Sequence, residues 1–161
     1  MTGVSSSDPA RDFDFLVGRW HVGHRSLRRR LDGCSDWLAF TGTCEMRLLL
    51  GGHANVDDNV IESPAGPYRA ASLRAFDPAT RQWSIWWLDG RRPDGLGVPV
   101  RGAFVDGVGR FHADDEHDGK PIRVRFEWSR ITTASATWEQ SFSADGGRSW
   151  EANWRMDFKR A

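Results

Sequence analysis

The sequence lacks an excess of charge and has no long hydrophobic run. Its 161 residues carry 22 Lys and Arg against 22 Asp and Glu, so the formal net charge is zero. Without a basic excess there is no electrostatic attraction for nucleic acid or an anionic membrane, and we expect neither as a partner. No apolar run approaches the roughly 20 residues of a membrane-spanning helix, and the polar N-terminus lacks the apolar core of a signal peptide. These absences predict a cytoplasmic protein.

Cysteine is scarce as well. Cys34 lies in a predicted turn, and Cys44 lies well inside the strand that follows. At about 3.3 Å per residue along a strand, this separation exceeds the reach of a disulfide within one hairpin. The sequence therefore predicts two free thiols.

Motifs of common catalytic sites are also missing. The chain has no nucleophile elbow, phosphate-binding loop, dinucleotide fingerprint or paired-cysteine motif. A single Asp-box pattern at residues 143–150 excludes a propeller, in which it recurs once per blade, and we interpret it as a hairpin turn held by Asp145.

The cluster at residues 112–118 is rich in His, Asp and Glu. We interpret it as a solvated acidic turn without a metal.

Ten segments show the features of β-strands. Most of them alternate between apolar and polar residues, whereas residues 83–89 are apolar on both faces, and turn residues separate the segments. They cover residues 20–31, 37–50, 55–62, 68–77, 83–89, 100–106, 108–113, 122–130, 136–143 and 150–160. With no helical crossover or internal repeat, the fold class is all-β: such a meander hides its edges best by closing into one antiparallel up-and-down barrel of about ten strands. A barrel of this size holds one small ligand.

A short N-terminal segment is expected to plug one end of this barrel. Asp8-Pro9 is typical of a helix start, and Gly18 suits the left-handed residue that ends a short helix. Trp20 then forms the floor of the core. Residues 1–8 are predicted to be a disordered tail and residues 9–161 the barrel domain.

The last strand predicts a contact that marks closure. Its inward face is expected to carry Trp150, Ala152, Trp154, Met156 and Phe158. The same alternation continues to Arg160, whose guanidinium is expected to stack on Trp20 as a cation–π pair.

These features carry a family resemblance. Gly18-Arg19-Trp20 after a short helix, with an arginine ending the last strand, resembles the calycin superfamily of lipocalins, fatty-acid-binding proteins and nitrobindins. Residues 13–160 are more closely similar to a bacterial family of calycin-like barrels whose domain has no assigned function. The segments that carry this similarity are 13–20, 55–59, 75–80, 83–87 and 143–154. The resemblance implies a barrel with a central pocket and no particular reaction.

The same resemblance bears on cofactors. Nitrobindins bind haem in this fold through a histidine late in the chain. No histidine follows His117 here. We therefore expect no haem, and no other cofactor.

The polar strand at residues 55–59 is the most informative candidate for a site. One face carries Asp57 with Asn59, and the other carries Asp58. Whichever face points inward therefore delivers a carboxylate into an apolar barrel, where its charge is disfavoured unless it is paired. Arg74 on the neighbouring strand is the expected partner.

Nine tryptophans suit either a solid aromatic core or a cavity wall, because each brings a large apolar body and one N–H donor. The candidate ligand-binding residues are His24, Asp57, Asp58, Asn59, Arg74, Trp87, Trp128, Trp138, Gln140 and Trp154. They predict binding of a small apolar or aromatic molecule in a central cavity. The alternative is a cofactor-free isomerase or cyclase that uses a buried aspartate as acid or base. A third hypothesis is an interaction module with a filled interior.

Distinct observations separate these hypotheses. An aspartate with a raised pKa in a closed pocket favours the enzyme, a fully ion-paired aspartate favours binding, and an absent cavity favours the interaction module.

On the outer face, Trp86 and Leu88 predict a contact for a homodimer. The arginines of the first strand are expected on a solvated outer wall; they are Arg25, Arg28, Arg29 and Arg30.

Overall fold

The structure, a computed structural model, describes residues 8–161 and consists of one closed barrel of ten antiparallel strands. The strands are β1 (Gly18–Leu27), β2 (Trp37–Leu49), β3 (Ala54–Ile61), β4 (Tyr68–Asp77), β5 (Gln82–Asp89), β6 (Val100–Val105), β7 (Val108–His117), β8 (Lys120–Ser129), β9 (Ser135–Ser143) and β10 (Glu151–Arg160). Each strand pairs with its neighbours in sequence, and β1 closes the barrel on β10. The predicted up-and-down barrel is confirmed. Among the described residues, no helix has the length and apolar character needed to cross a membrane.

The N-terminal plug consists of two 3-10 turns, Pro9–Arg11 and Asp14–Leu16. Asp8 caps the first of them by accepting a hydrogen bond from the Ala10 N–H at 3.0 Å. The other residues of the predicted tail, 1–7, lie outside the described residues. Gly18 follows with a φ of 111°, a conformation that disfavours residues with a Cβ. The chain can therefore turn from the plug directly into β1.

Trp20 and Arg160 seal this end of the barrel, which confirms the predicted contact. The Arg160 Cζ lies 3.9 Å from the Trp20 ring centroid. The same guanidinium donates hydrogen bonds to the carbonyls of Val17 and Phe15, the latter at 2.9 Å. The Trp20 indole donates to the Leu16 carbonyl at 2.8 Å. One arginine thus joins the last strand to both the plug and the first strand.

Two strand boundaries differ from the prediction by four residues, and the others by no more than two. β1 ends at Leu27 and not at residue 31, because the Arg28 N–H bonds to the Asp36 carbonyl and closes the hairpin. β7 runs to His117 and not to residue 113, because β8 pairs with it as far as Lys120. The predicted acidic turn is therefore the end of a long hairpin.

The predicted inward face of β10 is wrong at its start. A β-bulge interrupts the pairing between Ala152 and Trp154, where Asn153 is the extra residue. Such a bulge shifts the alternation of side chains by one position. Trp150 consequently packs outside the barrel under Arg125, with 4.4 Å from the guanidinium Cζ to the ring centroid. Ala152 pairs with Ser141 on the outward face.

Two smaller predictions are confirmed. Asp145 organises the β9–β10 turn by accepting hydrogen bonds from the Arg148 and Ser149 N–H groups at 3.0 and 2.9 Å. Hydrogen bonds from Ser149, above all, lower the pKa of the Asp145 carboxyl. Cys34 and Cys44 are both free.

Candidate functional site

A cavity of about 810 Å³ occupies the half of the barrel opposite the plug. The plugged half is solid, because Phe13 packs edge-on against Trp83 and Phe104 at centroid distances of 5.0 and 4.9 Å. The hollow half is formed by the ends of β1, β5, β7 and β9 and by the starts of β2, β4, β8 and β10. The interior is therefore divided along its axis into a core and a cavity.

Three tryptophans make the aromatic wall of the cavity. Trp154 is the central one, with Trp87 and Trp138 edge-on to it at centroid distances of 5.7 and 5.3 Å. Both interplanar angles are 88°. This arrangement gives the wall a fixed shape, since edge-to-face pairs add stability beyond the area they bury.

An amide pair provides the polar part of the wall. Gln140 lines the cavity and donates from Nε2 to the Asn153 Oδ1 at 2.8 Å. Asn153 is fully buried because the β10 bulge carries it into the interior. Its Nδ2 has no hydrogen-bond partner among residues 8–161.

The wall of the barrel is split beside the cavity. β5 pairs with β6 only from Trp83 to Ile85, so its last residues have no partner on that side. On the other side of the split, β7 pairs with β6 only as far as His112. The connection between β5 and β6, residues 90–99, covers this opening and lines the cavity. Leu96 and Val98 in it are exposed.

A buried ion pair lies beneath the cavity. Arg74 Nη2 donates to Asp57 Oδ2 at 2.6 Å, and both side chains are about 4% exposed. Asp57 Oδ1 accepts from the Ser72 N–H at 2.8 Å and from Asn59 Nδ2 at 2.6 Å. Arg74 also donates to Asn55 Oδ1 at 3.0 Å. The Asp57 carboxylate is fully paired and belongs to none of the cavity walls.

His24 stands behind the aromatic wall. It stacks on Phe40 with a centroid distance of 5.0 Å and accepts a hydrogen bond at Nδ1 from the Trp154 indole at 3.2 Å. Burial lowers the pKa of His24 from 6.5 to about 4. The ring is therefore neutral at pH 7 and holds Trp154 in place.

This burial predicts a pH-dependent stability. The unfolded His24 takes up a proton near pH 6.5 and the folded one does not until about pH 4, so stability is lost as the pH falls through this window. Between about pH 7 and about pH 5 we expect this residue to remove about 2 kcal/mol of unfolding free energy. Urea denaturation at both pH values measures it.

Two variants isolate the effect of His24. His24→Gln keeps an acceptor for Trp154 and removes the titrating group, so its stability should fall less over the same pH range. His21→Gln changes an exposed residue on the opposite face of β1 and should retain the wild-type pH dependence. An unchanged pH dependence in His24→Gln would contradict the assignment to His24.

The sequence-predicted site residues occupy five different places. Trp87, Trp138, Gln140 and Trp154 line the cavity. Asp57, Asn59 and Arg74 form the buried network below it, and His24 backs its wall. Trp128 lies in the solid core, where its ring centroid is 5.0 Å from that of Phe158. Asp58 points outward and forms an exposed salt bridge with Arg69.

Sequence reasoning missed the charged residues at the cavity mouth. They are Arg30, Asp89, Arg91, Arg92, Asp94, Asp115 and Glu116. Arg30 was expected on the outer wall, but it follows the end of β1 and lines the cavity. The sequence did contain a signal for Arg30. The two acidic residues nearby, Asp32 and Asp36, can pair with only two of the three consecutive arginines. Asn153 had no such signal, because a bulge arises from strand pairing.

The sequence indicates two further surfaces, an acidic cluster and an apolar patch. Asp114, Asp115 and Glu116 are exposed, and residues 8–161 contain no group of three side chains arranged to bind a metal ion. Trp86 and Leu88 are half-buried on the outer face of β5. Leu88 borders a shallow groove together with Leu96 of the β5–β6 connection, so this connection takes up part of the surface predicted for a homodimer.

Comparison with known proteins finds structures with a similar fold but no matching sequence family. No family model and no curated protein matches the chain. A redesigned β-barrel is similar with a TM-score of 0.51 at 9% identity, covering 98% of each chain. The protein EF1p2_mFAP2b bound to DFHBI has a TM-score of 0.51 at 9% identity, covering 95% of this chain and 99% of that one.

A third similar structure is the S-type phycobiliprotein lyase CPES from Guillardia theta. Its TM-score is 0.61 at 8% identity, with 92% of this chain and 90% of that chain covered. At such identities these likenesses show the β-barrel fold alone.

Proposed function

We propose that this protein binds one small, largely apolar molecule with an aromatic ring system in the cavity of the barrel. The wall formed by Trp87, Trp138 and Trp154 carries this proposal, because it presents rigid aromatic surface to a space of about 810 Å³. That volume lies within the range of small-molecule sites, about 300–1,000 Å³. Gln140 Oε1 is left as an acceptor for a polar group of the ligand.

The similar barrels support this proposal by analogy. One of them is bound to DFHBI, and another is a phycobiliprotein lyase. We infer further that the chain is a calycin-type barrel close to the bacterial calycin-like proteins. The features it shares with them are the plug and the contact between Trp20 and Arg160, which close one end of the barrel. Fold alone does not determine a ligand, so the tryptophan wall remains the main support. A cytoplasmic location and a homodimer stay predictions.

Ligand binding is favoured over the isomerase or cyclase alternative. That alternative requires a buried aspartate that can exchange a proton with the ligand. Asp57 is engaged by Arg74, Ser72 and Asn59 and lies outside the cavity walls. The presence of the cavity argues against the third hypothesis, an interaction module with a filled interior.

Titration with phenylnaphthylamine tests the proposal. This neutral dye fluoresces in apolar surroundings, and excitation of the wall tryptophans should transfer energy to it. We expect saturable binding of one dye per chain, with a matching loss of tryptophan emission. A signal that rises without saturation would contradict a defined site.

A further inference from the structure

Three consecutive arginines at the end of the first hairpin differ in their partners. Arg28 Nε lies 2.7 Å from Asp36 Oδ2, and Arg29 Nε lies 2.7 Å from Asp32 Oδ2. Arg30 has no carboxylate oxygen within 4.0 Å among the described residues. The preceding residues 1–7 contain no Asp or Glu. Arg30 is thus the member of this run that lacks a carboxylate partner.

Arg30 lines the ligand cavity at its mouth. Its Cζ lies 5.4 Å from the Phe142 ring centroid, and Phe142 lines the same cavity. Burial lowers the pKa of Arg30, which means that its surroundings disfavour the charge. A half-buried guanidinium is costly without an anionic partner and binds carboxylates and similar groups well.

The neighbouring groups compensate the Arg30 charge only in part, because burial outweighs their effect on its pKa. Arg91 stacks on Tyr68 at 3.7 Å and is paired with Asp89 at 2.7 Å, so these two charges neutralise each other. Glu151 accepts a hydrogen bond from the Leu31 N–H at 2.8 Å and lies beyond 4.0 Å of the Arg30 nitrogens, so its charge favours that of Arg30 without direct contact. The remaining carboxylates of the mouth, Asp94, Asp115 and Glu116, belong to the β5–β6 connection and β7, whereas Arg30 belongs to the β1–β2 connection.

Tyr68 adds a second donor on the same side. It is half-buried in the cavity lining, and burial above all raises the pKa of its phenol. The hydroxyl therefore stays protonated at neutral pH and can donate a hydrogen bond.

We propose that the ligand is an amphipathic organic monoanion, whose carboxylate or equivalent anionic group binds Arg30 at the mouth while its ring body contacts the tryptophan wall. This inference rests on the proposed function and defines the ligand class for it. The acidic residues on the β7 side repel the anionic group and thereby fix the orientation of the ligand. Arg30 acts as the anchor, and Tyr68 supports it.

Two dyes with the same aromatic skeleton test the anchor. Anilinonaphthalenesulfonate carries one negative charge, and phenylnaphthylamine is its uncharged counterpart. We expect Arg30→Gln to raise the Kd of the sulfonate about tenfold, as loss of a charge-assisted hydrogen bond does, and to change the Kd of the neutral dye less than about twofold. Arg29→Gln, which removes an exposed arginine paired with Asp32, should change neither Kd.

The outcomes distinguish the two proposals. Wild-type protein that binds neither dye overturns the proposed function, and the anchor with it. Binding of the neutral dye without the sulfonate overturns the anchor alone. An equal change in both Kd values for Arg30→Gln, or a change in neither, also overturns the anchor, because Arg30 would then shape the site or lie outside it.

Discussion

Asp57→Asn is expected to lower the free energy of unfolding by about 3–5 kcal/mol, because it leaves a buried charge without its partner. Arg74 is 3% exposed, so water cannot replace the lost carboxylate. The substitution also replaces Oδ2, the acceptor for Arg74 Nη2, by an amide N–H donor, whereas the oxygen that receives Ser72 N–H and Asn59 Nδ2 can be kept. Urea denaturation followed by tryptophan fluorescence measures the loss.

Asp58→Asn is the matched control for this variant. Asp58 adjoins Asp57 in β3 but points outward, where it pairs with an exposed Arg69. Surface pairs of this kind contribute about 0–1 kcal/mol, so the control should remain close to the wild type. Equal effects of the two substitutions would contradict the inward placement of Asp57. Adding Arg74→Gln to Asp57→Asn should recover part of the stability, since the orphaned charge is removed.

Ala113→Trp is expected to weaken binding of phenylnaphthylamine by about 10- to 100-fold, because overpacking a filled site costs about 1–3 kcal/mol. Ala113 lies on β7 beside the split in the wall and lines the cavity. It comes just after His112, the last β7 residue that pairs with β6. An indole at this position enters empty space in the free protein. The unfolding free energy should therefore stay within about 1 kcal/mol of the wild type.

Ala39→Trp places the same side chain on the outside of the barrel. Ala39 is exposed on β2, next to the inward-facing Phe40. This variant should bind the dye like the wild type. Undiminished binding by Ala113→Trp would show that the dye occupies a different site, whereas lost binding by both variants would point to a general disturbance of the barrel.

The local patterns of the sequence predict most of the barrel. Alternation of apolar and polar residues identifies most of the strands, since a strand with one buried face requires it. Asp106-Gly107 and Asp118-Gly119 mark two hairpins, and in the structure all four residues have positive φ, as tight turns demand. The parity of β10 leads from Phe158 to Arg160 and thus to its stacking on Trp20. These signals lie within one strand or one turn.

The candidate site depends more on contacts between distant segments. The register of β3 against β2 sets Asp57 opposite Met46 and Asn59 opposite Cys44, which brings the odd-numbered face inward. Either face of this polar strand carries a carboxylate, so its own pattern could not choose between them. The choice required the apolar partners on β2.

The sequence by itself determined the all-β class, the succession of strands and the residues that close the plugged end, because each follows from local periodicity or turn chemistry. Only the tertiary structure decided which side chains meet in the cavity. The bulge at Asn153 turns Trp150 outward and brings an amide beside Gln140, and the short β6 opens the wall. Arg30 lines the cavity, whereas its two neighbours pair with Asp32 and Asp36. Pairing registers between strands are properties of the folded chain, and no single segment encodes them.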